Sequence, residues 1–460
     1  MTGTVRTRSV VADSLERFGL TALIYPPFRV YFTANLASNA SWFIFSAALN
    51  TYILQLTGSA GTVGFASFVY SLPSALFMLH AGILTDRFGA GRMVAFSLAG
   101  SGVAVLAIGG LALSNATLGL LLIVGFTMGT LQTLGAPGFI SIVNDLVPPR
   151  AISSAVALTF LGFNVGRITG GVAAGILLAL MGADTRVAAG LTILVAGVLQ
   201  ALPAIPVARI KVASAPAGAT TTISLVRPLI ESAAYAIRYP TLGVILLLAI
   251  APGAVGLSYM YMLPVVIRDL GAAPDAVGLL YAGGGAGGLL AGLIAAPLMQ
   301  RLGHGRGIFV GLGAIGAGLF TTGAVGLLPV AMVAIGLTQA GFVVYASSSL
   351  ALVQALSPAR LRGRLTSLFT LLYWGLMPFG ALIEGAIAER TNSLFALVCV
   401  GATIVAAGGL ALVVRRQVAT LRINMDGDSV RGDLEGSGFG SDRPAGETQG
   451  APPGPPVRRP

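Results

Sequence analysis

Long apolar runs fill most of this 460-residue chain and limit what it can fold into. The hydrocarbon core of a bilayer is about 30 Å thick, so a helix needs roughly 20 apolar residues to cross it. Backbone polar groups inside lipid must be satisfied within the segment, which favours helices. The sequence predicts twelve transmembrane helices, called spans 1 to 12 here, near 28–55, 61–84, 92–114, 117–142, 151–180, 186–207, 241–268, 275–299, 306–328, 329–356, 364–388 and 394–415.

Composition points to the same class, an all-α integral membrane protein. Hydrophobic residues make up 55% of the chain and charged residues 9%, whereas soluble domains are about 25% charged. A net charge of +11 can indicate nucleic-acid binding, but basic residues in short loops between apolar runs are typical topology signals. We therefore expect a lipid bilayer and no nucleic acid as partner. The single cysteine, Cys399, excludes an intrachain disulfide.

Basic side chains divide unequally between the two sides of the predicted bundle. Of the 27 lysines and arginines, the loops and the two terminal segments on one side hold all except four. The exceptions are Arg186, Arg268 and Arg390 in the opposite loops and Arg167 within span 5. Basic loops face the cytoplasm, so both termini are predicted to be cytoplasmic. The polar first 27 residues show no cleavable signal pattern. A composition rich in Ala, Gly and Arg, with Lys211 as the one lysine, favours a bacterial plasma (inner) membrane.

One short motif occurs twice. Residues 86–92 (DRFGAGR) return as residues 300–306 (QRLGHGR), 214 residues further on, and residues 146–150 (LVPPR) resemble residues 356–360 (LSPAR). Duplicated membrane bundles are typical of transporters that work by alternating access. The sequence therefore predicts two pseudo-symmetric six-helix bundles.

The predicted domain boundaries follow from these two halves. The linker contains an amphipathic pattern typical of a helix on the membrane surface, and the tail lacks the apolar periodicity needed to fold. The predicted segments are a cytoplasmic N-terminal segment at 1–27, an N-terminal bundle at 28–207, a cytoplasmic linker with the amphipathic helix at 208–240, a C-terminal bundle at 241–415 and a mostly disordered cytoplasmic tail at 416–460.

Residues 82–92 (GILTDRFGAGR) resemble the loop 2–3 signature of the major facilitator superfamily, Gly-x-Leu-x-Asp-Arg-x-Gly-x-x-Arg. Further segments resemble the branch of that superfamily that contains the enterobactin exporter and macrolide-efflux proteins. These segments are Ser38-Asn39 and residues 56–60, 145–149 and 361–364. The resemblance covers residues 28–415 and implies export of a medium-sized organic molecule, generally driven by the proton gradient.

The resemblance also implies a gating motif. Its residues are Gly82, Asp86, Arg87, Gly89 and Arg92. In the superfamily, the aspartate holds the two halves in the outward-facing state by binding the start of span 11. A carboxylate suits that role because it can accept from free N–H groups at a helix N-terminus. The alternative is that Asp86 only balances the neighbouring arginines. The second copy has Gln300, so a one-sided latch is predicted.

Small residues in two spans predict a close helix contact. Span 5 carries a pattern similar to the antiporter motif Gly-x-x-x-Gly-Pro-x-x-Gly-Gly, with Gly171 in place of proline and Ala174 in place of glycine. Small residues four positions apart let helix backbones approach closely. The predicted packing glycines of spans 5 and 8 are Gly166, Gly170, Gly175, Gly284 and Gly288.

Two charged residues within the spans, Arg167 in span 5 and Glu384 in span 11, are candidates for proton coupling or substrate binding. A charge within a span is costly unless it faces water or a partner, and a buried carboxyl group can hold a proton near neutral pH. The alternatives are that Arg167 only braces span 5 and that Glu384 reaches the outer surface near Arg390. Further candidates for lining a cavity, each alternatively a packing residue, are Asn39, Gln132, Asn164, Gln339, Tyr373 and Trp374.

Nucleotide-binding and zinc-hydrolase motifs are absent from the sequence, so no enzyme activity, cofactor or metal is expected. The leading prediction is a monomeric secondary transporter that exports a drug-like or siderophore-like small molecule in exchange for protons. Two alternatives remain open: an uptake carrier or lipid flippase on the same fold, and a transport-inactive membrane sensor or assembly partner.

Overall fold

The computed structural model describes residues 20–180, 185–210, 226–358, 360–423 and 430–431. The first six spans are the helices Pro26–Thr57, Ala60–Phe88, Ala90–Leu113, Leu118–Leu146, Ile152–Leu180 and, in two pieces, Thr185–Ala201 with Ala204–Ala208. Spans 7 to 12 are Pro240–Leu248 with Tyr259–Asp269, Val277–Leu302, His304–Val325, Leu328–Leu356, Arg362–Trp374 with Met377–Arg390, and Ser393–Val414. Short 3-10 turns at Thr21–Ile24, Pro149–Ala151 and Pro274–Ala276 precede spans 1, 5 and 8.

Among the described residues, eleven of these segments are long and apolar enough to cross a membrane. Span 1 is the remaining one. It is 32 residues long, but Asn35, Asn39 and Asn50 make it more polar than the others. It lies between the other helices, where polar groups can find protein partners, and Asn35 and Asn50 are buried. The predicted fold, an all-α membrane bundle, is confirmed.

The backbone repeats between the two halves. Within the described residues, six positions have positive φ, and they form three pairs separated by 211 to 214 residues: Gly58 with Gly271, Gly89 with Gly303, and Asn115 with Gly326. The pairs end spans 1 and 7, spans 2 and 8, and spans 3 and 9. Gly58 and Gly326 combine the positive φ with a ψ of -2° and 21°, the left-handed conformation of the usual C-terminal cap. Gly89 and Gly303 share a different conformation, with ψ of 141° and 151°. The two halves therefore share their turn chemistry as well as their helices.

Two spans predicted as continuous helices are interrupted at mid-membrane. Span 7 contains a π turn at Pro252–Gly256, because Pro252 has no N–H to donate and its ring blocks the carbonyl one turn earlier. Span 11 breaks between Trp374 and Met377. The two breaks touch, since a Cβ on Gly253 would lie 2.6 Å from the Tyr373 carbonyl oxygen.

The halves pack together at one end of the bundle. We call this the far end, where span 2 begins and span 11 finishes. Here a Cβ on Gly64 would collide with the Ala381 carbonyl and lie 2.8 Å from the Gly385 Cα, so glycine is needed for the helices to approach this closely. The rings of Phe68 and Phe379, one from each half, lie 5.7 Å apart nearby.

The halves separate at the opposite end. We call this the motif end, where span 2 finishes with the gating motif and span 11 begins. Asp86 is exposed, and a Cβ on Gly82 or on Gly363 would meet no other atom within 4 Å. The structure is therefore open at the motif end and closed at the far end.

Two further segments pack against the bundle at the motif end. The predicted amphipathic linker helix is present as Val226–Arg238, and its Glu231 binds Arg364 of span 11 at 2.7 Å. Beyond span 12, the helix Gln417–Thr420 leads to a two-residue strand, Arg422–Ile423, which pairs with Val430–Arg431. This strand pairing lies in the segment 416–460, which the sequence predicted to be mostly disordered. The N-terminal segment up to residue 19 and the tail at 432–460 lie outside the described residues.

Candidate functional site

Arg167 and Glu384 are the only charged side chains that are buried in the part of the chain the structure describes, and both are fully inaccessible. Arg167 belongs to the N-terminal half and Glu384 to the C-terminal half. Groups of three or more potential metal ligands do not occur among the described residues. The site is therefore built around two separate buried charges.

Arg167 joins the two halves. Its Nη1 donates to Oε1 of Gln339 in span 10, and its Nη2 donates to the Tyr259 hydroxyl in span 7 at 2.7 Å. The Tyr259 hydroxyl in turn donates to the same Gln339 oxygen at 3.3 Å. Because both partners lie in the opposite half, these contacts are compatible with either alternative for Arg167. It can serve only to hold span 5 against its neighbours, or it can take part in transport.

Aromatic rings surround the guanidinium group in place of a carboxylate. Its central carbon lies 5.7, 5.9 and 6.0 Å from the ring centres of Phe43, Tyr259 and Tyr281. A cation–π contact contributes about 0.5–2 kcal/mol, whereas an arginine at mid-bilayer costs at least about 2.5–3.5 kcal/mol. The rings offset part of that cost, but the positive charge itself is not neutralised.

Glycines in span 8 make room for these polar side chains. A Cβ on Gly284 would lie 2.5 Å from Nη2 of Arg167, and a Cβ on Gly288 would collide with Oδ1 of Asn164. Larger residues at either position would push Arg167 or Asn164 out of the interface. The two glycines therefore serve the polar cluster as well as helix packing.

The predicted packing glycines of span 5 divide between two neighbours. Gly166 and Gly170 face span 1, because a Cβ on either would overlap Asn39 or Ala40. Gly175 faces the start of span 8, as predicted. One residue turns a helix by about 100°, so positions 166 and 170 lie on a different face from position 175.

Gly171 completes the contact of span 5 with span 8. A Cβ there would overlap the Cβ of Tyr281, and a Cβ on Gly278 would lie 2.7 Å from the Gly171 carbonyl. Gly171 stands where the antiporter pattern has proline. A proline ring would need space that the Tyr281 side chain occupies, which explains this departure from the pattern.

Glu384 lies at the break of span 7. Its Oε1 accepts from the Ser258 hydroxyl at 2.7 Å, while its buried Oε2 has no hydrogen-bond partner among the residues that the structure describes. Gly380, one turn earlier in span 11, packs directly against Ala254 and Ser258. Glu384 therefore faces span 7 within the bundle, and it does not extend to the surface near Arg390.

Span 7 connects the two buried charges. Ser258 binds Glu384 and the next residue, Tyr259, binds Arg167. These two residues lie two and three positions after the end of the π turn Pro252–Gly256. A change in the charge of Glu384 can therefore act on the contact between the halves through two successive residues of an irregular segment.

The remaining predicted residues differ in their positions. Gln339 binds Arg167, Asn164 lies three residues before Arg167 in span 5, and both are buried. Asn39 donates to Asn35 within span 1 at 2.8 Å, and Tyr373 is buried in a stack with Phe369. Gln132 is half-buried in span 4, and Trp374 is 41% exposed.

Sequence reasoning missed Ser258, Phe43 and Tyr281. Hydroxyl and aromatic residues are common in apolar runs, so no local pattern distinguishes these three. Pro252 was the available signal, because a proline inside a predicted span marks a break where polar contacts collect.

The gating motif lies at the open motif end. Asp86 and Arg92 are exposed, as is Arg87, which lies over the ring of Phe88 at 5.4 Å. Within the described residues, Asp86 pairs with neither arginine, and the start of span 11 is held instead by Glu231. A latch between Asp86 and span 11 requires the motif end to close, so its role stays a prediction.

Asp86→Asn is expected to leave the protein folded in the membrane and to lower transport several-fold, because a neutral amide binds a helix N-terminus less well than a carboxylate. The measurement is transport per molecule of membrane-inserted protein. Arg416→Gln, beyond span 12, is the matched control. Normal transport by Asp86→Asn would contradict the gating role.

A second carboxylate closes the far end. Glu389, at the end of span 11, accepts from the Ser59 hydroxyl and from the Gly61 N–H, both at 2.9 Å. Ser59 caps the start of span 2. Arg268 of span 7 donates to the Gly58 carbonyl at 3.1 Å. The far end is thus held by a carboxylate of one half at a helix N-terminus of the other, the arrangement predicted for Asp86 at the motif end.

Glu389→Gln is expected to favour opening of the far end by a few-fold, because the amide loses the charge interaction with the start of span 2. The reporter is Ser46→Cys in a Cys399→Ser background, since Ser46 is buried and faces the Tyr281 hydroxyl of the other half at 3.5 Å. Its labelling by a water-soluble maleimide should be faster in Glu389→Gln and slower in Asp86→Asn. Equal rates in all three proteins would contradict both carboxylate contacts.

Comparison with solved structures supports the fold. The chain is similar to a POT family transporter in complex with 5-aminolevulinic acid, with a TM-score of 0.68, 14% identity and coverage of 86% of this chain and 97% of that one. It is also similar to a D-xylose–proton symporter (TM-score 0.66, 15% identity, 83% and 95% coverage). A third is a bacterial homolog of the human lysosomal transporter Spinster, inward-facing and occupied (0.62, 15%, 85% and 96%).

Comparison at the level of sequence identifies the family. No curated protein sequence matches this chain significantly. The family model described as transmembrane secretion effector matches residues 19–427, which includes both bundles, the gating motif and the two buried charges. The protein is a membrane transporter and no enzyme, and the chain belongs to the transmembrane secretion effector family of the major facilitator superfamily.

Proposed function

We propose that this protein is a secondary active transporter that exports a drug-like or siderophore-like organic molecule from a bacterial cytoplasm in exchange for protons. The observation that carries the proposal is the buried Glu384. Its Oε2 has no partner among the described residues, and its Oε1 binds Ser258, the residue next to the one that binds Arg167. The family description, which refers to secretion, supports the direction of transport.

Alternating access follows from the two ends of the bundle. The motif end carries the basic loops and is therefore assigned to the cytoplasm by the positive-inside rule. On that assignment, the structure is inward-facing, with the cytoplasmic side open and the outer side closed by Glu389 and by Gly64 against Gly385. Rocking of the halves closes the motif end and parts the far end.

Protonation of Glu384 supplies the coupling. An ionised carboxylate inside the bundle is costly with only one hydrogen-bond donor, so loss of the proton favours a rearrangement that brings water or further donors. Ser258 carries that rearrangement to Tyr259 and the Arg167 contact between the halves. Proton entry from outside and release inside then drive the halves through one cycle.

The proposal is tested with inside-out membrane vesicles energised to be acidic inside. Cationic drugs, macrolides and siderophores are added separately, and a fluorescent probe follows the pH gradient, with vesicles lacking the protein as control. One compound class should collapse the gradient only when the protein is present. Silence across all classes with folded protein would contradict the proposal, and protein-dependent entry of a solute into right-side-out vesicles would favour an uptake carrier.

A further inference from the structure

We propose that Arg167 binds an anionic oxygen group, a carboxylate or an equivalent, of an organic molecule that also has an aromatic or apolar part. This inference rests on the proposed function only in naming that molecule as the exported solute. The binding site consists of Arg167, Asn164, Gln339 and Tyr259, with the rings of Phe43 and Tyr281 beside them. We call this group the Arg167 cluster.

The charge of Arg167 is unbalanced. Its hydrogen-bond acceptors are a neutral amide oxygen and a neutral hydroxyl, and no salt bridge joins it to an acidic residue among those the structure describes. Its Nε is buried and has no hydrogen-bond partner within the described part of the chain. A guanidinium group offers five N–H donors in a planar fork that matches an anionic oxygen pair. The missing component of the cluster is therefore an anion.

Asn164 adds a second unpartnered group. Its Nδ2 donates to the Phe160 carbonyl at 3.2 Å, but its buried Oδ1 receives no hydrogen bond from any residue that the structure describes. A buried amide oxygen without a donor is costly. Oδ1 lies near the Gln339 side chain, because a Cβ on Gly288 would collide with Oδ1 and lie 3.1 Å from Gln339 Cγ. A hydroxyl or N–H group on the same molecule can satisfy this oxygen, so the cluster offers a donor fork for an anion and a nearby acceptor.

The surrounding rings select an organic anion over an inorganic one. Phe43, Tyr259 and Tyr281 place three aromatic rings around the guanidinium carbon. Ligand sites typically combine such apolar walls with a few polar groups that fix orientation. A planar aromatic acid can pack against these rings while its carboxylate meets Arg167.

Access to the cluster depends on movement of the halves. Arg167 is fully buried in the conformation described here, but its two hydrogen-bond partners belong to the opposite half. Parting of the halves frees Nη1 and Nη2 for another acceptor. The anion therefore replaces contacts between the halves, which makes its binding sensitive to the conformation of the transporter.

Binding of benzoate to the purified full-length protein tests the inference without any transport. The emission of Trp42 is the readout, because its ring lies 4.9 Å from that of Phe43, and Trp374→Phe removes the other tryptophan. Benzoate should cause a saturable change, and methyl benzoate, which lacks the charge, should bind at least about tenfold more weakly. Sodium chloride should not produce the same change.

Variants separate the site from the fold. Arg167→Gln should weaken benzoate binding at least about tenfold, Arg416→Gln should not change it, and Tyr259→Phe, which frees Nη2 but keeps the ring, should bind at least as tightly as the parent. Equal binding of benzoate and its methyl ester, equal binding by Arg167→Gln, or no saturable effect up to about 50 mM, a generous limit for so small a ligand, would overturn the inference.

The outcome is separable from that of the proposed function. Benzoate binding at Arg167 in a protein that moves no protons would contradict proton-coupled export and leave the anion site standing. Proton-coupled export that is as fast for neutral solutes as for anionic ones, and as fast in Arg167→Gln as in the parent, would support the proposed function and contradict the anion site.

Discussion

Glu384→Gln is expected to abolish proton-driven export and to leave exchange of solute across the membrane intact. Glutamine keeps the size of the side chain and can still bind Ser258, but it cannot release a proton. The step that needs an ionised carboxylate is lost, whereas the rocking of the halves with bound solute is not. Uphill transport should fall to the level of vesicles without the protein, and counterflow of labelled solute should stay within about twofold of the parent.

The two assays are run on the same preparation, with the solute identified by the vesicle screen. Asp275→Asn is the matched control, because Asp275 is an exposed carboxylate in the turn before span 8. It should keep both activities. Uphill export by Glu384→Gln at the parental rate would remove Glu384 from the coupling mechanism, and loss of counterflow as well would show that the side chain is needed for the movement itself.

Gly64→Val is expected to prevent closure of the far end. The position has no space for a side chain, because an added Cβ would collide with the Ala381 carbonyl and approach the Gly385 Cα. Both obstacles are backbone atoms, so the helices must move apart. Overpacking of this kind costs about 3 kcal/mol, which corresponds to a roughly 100-fold shift away from the closed far end.

Maleimide labelling of Ser46→Cys measures this shift directly, and transport should be lost in parallel. Gly110→Val in span 3 is the control, because a Cβ there meets no atom within 4 Å and faces away from the contact between the halves. It should label and transport like the parent. Slow labelling in Gly64→Val, equal to that in Gly110→Val, would mean that spans 2 and 11 do not form the outer closure.

Apolar run length and the duplicated motif were sufficient to predict the architecture. Twelve runs could cross a bilayer only as helices, and the repeat of residues 86–92 at 300–306 predicted the two halves that the paired positive-φ residues confirm. Arg167 and Glu384 could be selected because a charge inside a membrane span is costly wherever the helix packs. These features depend on local sequence and on the bilayer alone.

The partners of those charges could not be predicted in the same way. Gln339 lies 172 residues from Arg167 and Ser258 lies 126 residues from Glu384, so their meeting depends on how whole helices pack and rotate. The faces of Gly166 and Gly170 depend on helix rotation too, which the spacing of glycines does not fix. The breaks of spans 7 and 11 contact each other around Gly253. The sequence of either span alone does not predict this contact.

Glu384 is proposed to carry the transported proton. Infrared difference spectroscopy of the purified protein tests it directly, by following the C=O stretch of protonated carboxyl groups as the pH is raised and solute is added. We predict a band from a buried neutral carboxyl group that disappears when the pH is raised and solute is added. The band should be absent in Glu384→Gln and present in Glu231→Gln. An unchanged band in Glu384→Gln, or a band that does not respond to solute, would contradict the claim.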